Sequence, residues 1–256
     1  MTKYLLKRVL QAIGVVFCIS LITFFVLNIV PGNPVEIMLG EFADQATIAR
    51  VTHEMGLDQP IYIQYFSWLG NMLQGNFGTS YFQNKLVIDI LTSSFLVTAK
   101  LAGIAYILAV VLGIVVGVVA AVNHGKWVDS ALMTISVFGI SAPAFWIAII
   151  LQIVICLKFN LLPLSGIDSF KSFILPGIAL GTRYAASIAR ITRTSMLDVL
   201  SQDYIRTAEA KGLKGWVVTI KHALRNALIP IITIAGSDLG NILTGSVLVE
   251  SVFSIP

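Results

Sequence analysis

Leu101-Ala-Gly-Ile-Ala-Tyr-Ile-Leu-Ala-Val-Val-Leu-Gly113-Ile-Val-Val-Gly117-Val-Val-Ala-Ala-Val122 carries no charged side chain. A helix rises about 1.5 Å per residue and the hydrocarbon core of a bilayer is about 30 Å thick, so this run spans a membrane as one helix. Gly113 and Gly117 stand four residues apart, a spacing that lets a neighbouring backbone approach closely. Working outward, Val9 to Val30 is a second uncharged run, closed by Pro31-Gly32-Asn33-Pro34, which cannot continue a helix. Ala131 to Leu157 is a third run, in which Pro143 predicts a kink. Phe173 to Ala189 is shorter and is interrupted by Arg183, and Ala227 to Val249 carries Asp238 in its interior. The expectation is an all-α polytopic membrane fold with five spans.

Composition agrees. Of 256 residues 57% are hydrophobic and only 12% charged, and the mean hydropathy of +0.88 exceeds what polar surface could cover in a soluble domain. The net charge of +4 does not point to nucleic acid, because the basic residues lie between apolar runs without interleaved aromatics. Cys18 and Cys156 sit in or beside apolar runs and read as small buried hydrophobes, with no disulfide framework. Met1 to Arg8 and the run behind it read as an uncleaved anchor rather than a signal peptide.

Charge sets the expected orientation. Lys3, Lys7 and Arg8, then Lys126, then the basic stretch from Arg190 to Asn226 place the Lys/Arg excess on alternate sides of successive spans. The positive-inside rule puts the N-terminus and that stretch in the cytoplasm and the acidic region from Pro31 to about Ser94 outside, with Tyr65, Trp68 and Tyr81 as interfacial aromatics. The expected division is an N-terminal span with its external segment (1–95) and a core of four spans (96–256).

The basic stretch has the marks of a docking elbow. Asp203-Tyr204-Ile-Arg206-Thr207-Ala208-Glu-Ala-Lys211-Gly212 reads as a short helix in which Asp203 caps the free N–H groups. Lys211 suits the negative end of the dipole and Gly212 supplies a left-handed stop. A second helix, Trp216 to Asn226, leads into the last run. From physics alone two readings stand level: docking against another protein, or an amphipathic hairpin on anionic lipid.

From Ala189 to Leu213, and on through His222-Ala-Leu224-Arg225-Asn226 to Pro230, the sequence closely resembles the cytoplasmic motif of the dipeptide/oligopeptide/nickel permease family of ABC importers. Pro31-Gly32-Asn33-Pro34, Leu57-Asp58-Gln59-Pro60, Gly75-Asn76-Phe77-Gly78, Ser141-Ala-Pro143-Ala-Phe145, Leu162-Pro163-Leu-Ser-Gly166 and the stretch from Gly245 to Glu250 extend the resemblance over nearly the whole chain. The resemblance implies a type I importer transmembrane fold in a prokaryotic inner membrane. It implies, too, that Arg206, Thr207 and Ala208 stand at the E-A-A positions of the segment that inserts into a groove of the ATPase subunit, with Gly212 as the motif glycine. Asp203, Tyr204 and Lys211 complete that expected coupling set. Two departures stand out. The family normally continues past Pro256 through a further loop to a sixth span, and it more often has a neutral residue such as Gln where Asp238 stands.

The implied function is a permease subunit, itself not an enzyme and without cofactor. Its implied partners are ATPase subunits, a second homologous permease, an extracytoplasmic solute-binding protein and the bilayer. Peptides or nickel and related metal chelates are the implied solutes. The residues agree that hydrolysis lies elsewhere, because no G-x-x-x-x-G-K-[ST] loop occurs, and His53, His124 and His222 are too scattered for a metal site. A membrane-embedded enzyme would need clustered ionisable groups, whereas only Arg183 and Asp238 lie deep. A secondary transporter would usually show two similar halves, and no repeat is visible. Arg183 and Asp238 are therefore the candidates for the translocation path, set against the alternative that Arg183 snorkels to headgroups while Asp238 bonds a neighbouring helix.

Overall fold

The computed structural model describes residues 2–29, 34–39, 44–80 and 83–255. Two compact units divide the chain, residues 1–93 and 94–256.

In the first unit, α1 (Thr2–Ile29) starts well before Val9, so the basic residues Lys3, Lys7 and Arg8 ride on the helix itself. The turn expected at Pro31, Gly32 and Asn33 lies outside the described residues, as does Tyr81. Next come α2 (Pro34–Leu39), α3 (Gln45–Glu54) and α4 (Ile61–Leu73). Asp44 caps α3 by accepting from the Thr47 amide, and Pro60, locked at φ −53°, turns the chain into α4. Tyr65, expected among the interfacial aromatics, is buried within the first unit. Its ring is buried against Phe24 at 5.3 Å and its hydroxyl lies 2.9 Å from the Ser20 hydroxyl, because α1 presents an aromatic and a hydrogen-bond partner one turn apart. A two-stranded antiparallel ribbon, β1 (Thr79–Ser80) with β2 (Lys85–Leu86), pairs Thr79 with Leu86.

The long helix α5 (Val87–Val122) begins before Leu101. Thr92 and Ser93 fold their hydroxyls back onto the carbonyls of Ile88 and Ile90, so the polar Thr92-Ser93-Ser94 stretch, at the end of the expected external region, is helical.

In the second unit, α6 (Trp127–Ser141) and α7 (Ala144–Leu151) meet at a bend of 104°. The kink expected at Pro143 is thus a break: Pro143 has no N–H to donate, and Ala142 before it is extended at ψ 129°. The end of α7 widens into a π-helical turn over Gln152–Lys158.

A 3-10 turn, Phe170–Phe173, starts α8 (Ile174–Leu200), which does not stop at Ala189 but runs on through Arg190 and Arg193. No proline or glycine interrupts that continuation. α8 crosses α5 backbone to backbone, with glycines supplied by both helices. A methyl on Gly117 would lie 2.5 Å from the Ala189 carbonyl oxygen, and one on Gly113 2.8 Å from that of Ala185. Reciprocally, a methyl on Gly181 would lie 2.8 Å from the Ala105 carbonyl oxygen. Each helix thus supplies a glycine pair of the same spacing, Gly113/Gly117 against Ala185 and Ala189, and Gly177/Gly181 against Ile104 and Ala105.

Beyond α9 (Asp203–Ala210) the chain forms one continuous helix from Gly215 to Thr244. It comprises α10 (Gly215–Val217), a π-helical turn (Val218–Leu224) and α11 (Arg225–Thr244). The last run does not reach Val249 as one helix, because the chain breaks at Gly245 and Ser246 before α12 (Val247–Val252).

Three helices among the described residues are long and apolar enough to cross a membrane, beginning at Thr2, Val87 and Gly215, and the bent pair Trp127–Lys158 makes up to four. Against the five spans expected, the difference is α8, which has 27 residues and ample length but carries three arginines.

Candidate functional site

Two places in the second unit gather the residues singled out in the sequence. The first is the elbow around α9. Asp203 does not cap the helix: Gln202 occupies the cap position with no side-chain bond, and Asp203 sits in the first turn, 3.9 Å from Arg206. An acidic group there still favours the positive end of the dipole. Ile205 and Ala208 are buried in a core with Val218, Ala223 and Ala227, so the small side chain of Ala208 packs within the chain. Asp203, Arg206, Thr207, Lys211 and Gly212 stay exposed. Tyr204, half-exposed, accepts a hydrogen bond at 2.9 Å from the Asn226 amide, which ties α9 to the root of α11. Gly212 has φ +76°, the left-handed stop that the sequence predicts, where a side chain would be strained.

The second place is a cavity of about 440 Å³ between α8 and α11. Arg183, Ser187 and Arg190 line it from successive turns of α8, and Asp238, Asn241 and Thr244 from successive turns of α11. Tyr184 and Ile140, the latter on α6, complete the wall. Arg183 and Asp238 thus share one cavity without forming an ion pair, and Oδ2 of Asp238 is buried with no hydrogen-bond partner among the described residues. Sequence reading missed Arg190, Asn241 and Thr244 as lining residues. The signal was present: 183, 187 and 190, like 238, 241 and 244, follow the three-to-four-residue spacing of one helix face.

A third cluster went unforeseen. Arg193 on α8 grips Asp129 on α6 with two bonds, Nε to Oδ1 at 2.6 Å and Nη2 to Oδ2 at 2.7 Å. The Gly125 amide donates to the same carboxylate, and His124 Nδ1 lies 3.0 Å from Nη2 of Arg193. Asp129 is buried, so the pair locks the α5–α6 turn to α8. Nothing in the spacing of residues 129 and 193 announces it. No group of three or more metal-ligating side chains occurs among the described residues.

Comparison with known proteins covers both regions. Residues 113–256 match the family described as binding-protein-dependent transport system inner membrane component, and residues 1–102 match the N-terminal region of such membrane components. The glutathione transport system permease protein GsiC of Escherichia coli (strain K12) is 41% identical over 256 residues, covering 100% of this chain and 84% of the relative. The protein of the same description from Shigella dysenteriae serotype 1 (strain Sd197) has the same identity and coverage. A permease of this kind works with separate ATPase subunits and a solute-binding protein and does not hydrolyse ATP itself. The helical membrane fold, the elbow motif and the match along the whole length lead to one assignment: the chain belongs to the binding-protein-dependent inner-membrane transport family, as the permease component of an ABC importer.

Proposed function

We propose that the segment from Asp203 to Gly212 is the contact through which the ATPase subunits act on this permease, and that Arg183 and Asp238 line its solute path. One observation carries the reading. α9 is pinned to the core by Ile205 and Ala208, turns its charged side outward, and is joined to the long helices α8 and α11, whose facing sides bound the cavity. A push on the exposed side of α9 is therefore delivered to both cavity walls, the kind of rigid link that switching between two states requires. The same reading pairs this chain with a second, homologous permease and sets its N-terminus in the cytoplasm. The glutathione named for the relatives is a tripeptide, which favours a peptide-like solute over a nickel chelate.

The test is a pull-down of the ATPase subunit combined with solute-stimulated hydrolysis in one reconstituted preparation. Arg206→Glu with Lys211→Glu should weaken capture of the ATPase, whereas Gly212→Val should keep capture and lose stimulation, because it strains the turn that sets the angle of the elbow. Normal capture and stimulation in both variants would favour the lipid-surface hairpin instead.

A further inference from the structure

We infer that the cavity between α8 and α11 is a solute site that reads charge: its arginines hold carboxylates and Asp238 holds an ammonium or amide N–H of a small peptide-like ligand. This rests on the permease reading above and gives that path a ligand chemistry.

Three charged groups of this cavity lack an ion-pair partner among the described residues. Neither Arg183 nor Arg190 has an ion-pair partner among the described residues, and the buried Oδ2 of Asp238 has no donor. Ionisable groups inside a membrane protein are costly unless they meet water or a partner. Elsewhere on the same helix Arg193, mostly covered, is held by Asp129 through two bonds, whereas Arg183 and Arg190 are exposed to the cavity and carry no ion pair among the described residues. A guanidinium offers a planar fork of donors matched to a carboxylate, while Oδ2 of Asp238 accepts only from a donor. The cavity therefore wants acceptors on its α8 wall and a donor on its α11 wall.

Size and spacing narrow the ligand. Arg183 and Arg190 stand seven residues apart, about 10 Å along a helix, so one compact molecule can place an acidic group at each only if its own acidic groups are separated. Two arginines against one aspartate leave an excess of one positive charge, which favours a ligand with more carboxylates than ammonium groups. Ile140 is the one aliphatic side chain of the lining, so apolar solutes find little to bury there.

The experiment uses the assembled permease–ATPase complex in vesicles. Exposed Cys18 is replaced by serine, buried Cys156 is kept, and Ser187→Cys places a thiol in the cavity wall. Sulfonatoethyl methanethiosulfonate, an anion, should label that thiol roughly tenfold faster than its trimethylammonium counterpart once each rate is divided by that reagent's rate with a small free thiol, as a focused positive field predicts. Arg183→Gln with Arg190→Gln should abolish the preference, and the paired Lys replacements, which keep the charge, should retain it. Millimolar alanylalanine and glutathione should slow labelling, glutathione more strongly, while alanylalanine amide should not. Equal normalised rates for the two reagents, a preference that survives removal of both arginines, protection by neither free peptide, or equal protection by the amide would each overturn the site. Charge-selective, carboxylate-protected labelling in a complex that shows no ATP-driven uptake would support the site and overturn the importer reading.

Discussion

α1 and α8 are of nearly equal length, 28 and 27 residues, and opposite in character. The most apolar stretch of α1 is only 6% buried within the chain, and Phe24 is its one buried hydrophobe among the described residues. α8 carries Arg183, Arg190 and Arg193, yet buries Leu180, Ile188, Ala189, Thr192 and Met196 almost completely. The difference teaches that hydropathy marks the surface offered to lipid, not the helix around which the fold is built. Lipid tails are as apolar as leucine, so apolar surface alone gives helices no reason to associate, and small residues and polar locks do that work.

The strongest way to break the contrast is at the lock. Arg193→Met leaves the Asp129 carboxylate buried without its partner and should destabilise the core by about 3–5 kcal/mol, while adding Asp129→Leu should recover much of that loss. Thermal unfolding of the detergent-purified assembly measures both. A double variant as unstable as the single one would show that the pair does more than neutralise a charge.

Next comes the glycine crossing. Gly117→Val places side-chain carbon where the Ala189 carbonyl stands, and the strain should cost about 1–3 kcal/mol or more by the same measurement. On α1, by contrast, Leu10→Ala and Val16→Ala alter side chains that are 60% and 66% exposed. They should shift the melting of the assembly by no more than about 0.5 kcal/mol. A larger loss would mean that a partner subunit covers α1, and would sharpen the contrast into one between inner and outer interfaces.

The smallest effect belongs to the His53–Asp58 pair of the first unit, in which Nδ1 lies 2.6 Å from Oδ2. The hydrogen bond to Asp58 raises His53 above the ordinary imidazole value of 6.5, and the bond to His53 lowers Asp58 below the ordinary 3.8. The histidine contribution is whole below 6.5 and fades as pH rises through the raised His53 value. The aspartate contribution is whole above 3.8 and fades as pH falls through the lowered Asp58 value. Amide exchange around Gly56 and Leu57 should follow that window, and His53→Ala should flatten it.

These cases show what was legible. Lipid-facing runs are contiguous in sequence, so the helical membrane fold was readable, and the elbow was readable because Gly212 is a local signal. The break at Ala142–Pro143 was visible as a kink but not in its size, since proline states where a hydrogen bond is lost and not how neighbouring helices use the freedom. The burial of Ala208 was not legible, because a small residue fits a close contact on either side of a helix. Asp129 with Arg193, Gly113 and Gly117 with Ala185 and Ala189, and Gly181 with Ala105 are pairings across helices, and a single sequence does not show which residues meet.

The π-helical turn at Val218–Leu224 has a consequence for phase. Such a turn accommodates one residue more than an α turn, so the helix beyond it keeps nearly the rotational setting it would have with that residue absent. Counted at about 100° per residue straight from Gly215, the Asp238 face would be assigned one residue out of step with the face that borders the cavity. The turn takes up the surplus. A one-residue deletion inside Val218–Leu224 should therefore leave Val218 or its replacement against α9 and Asp238 toward Arg183. The same deletion between Arg225 and Ser237 would swing Asp238 by about 100°, away from the arginines it faces.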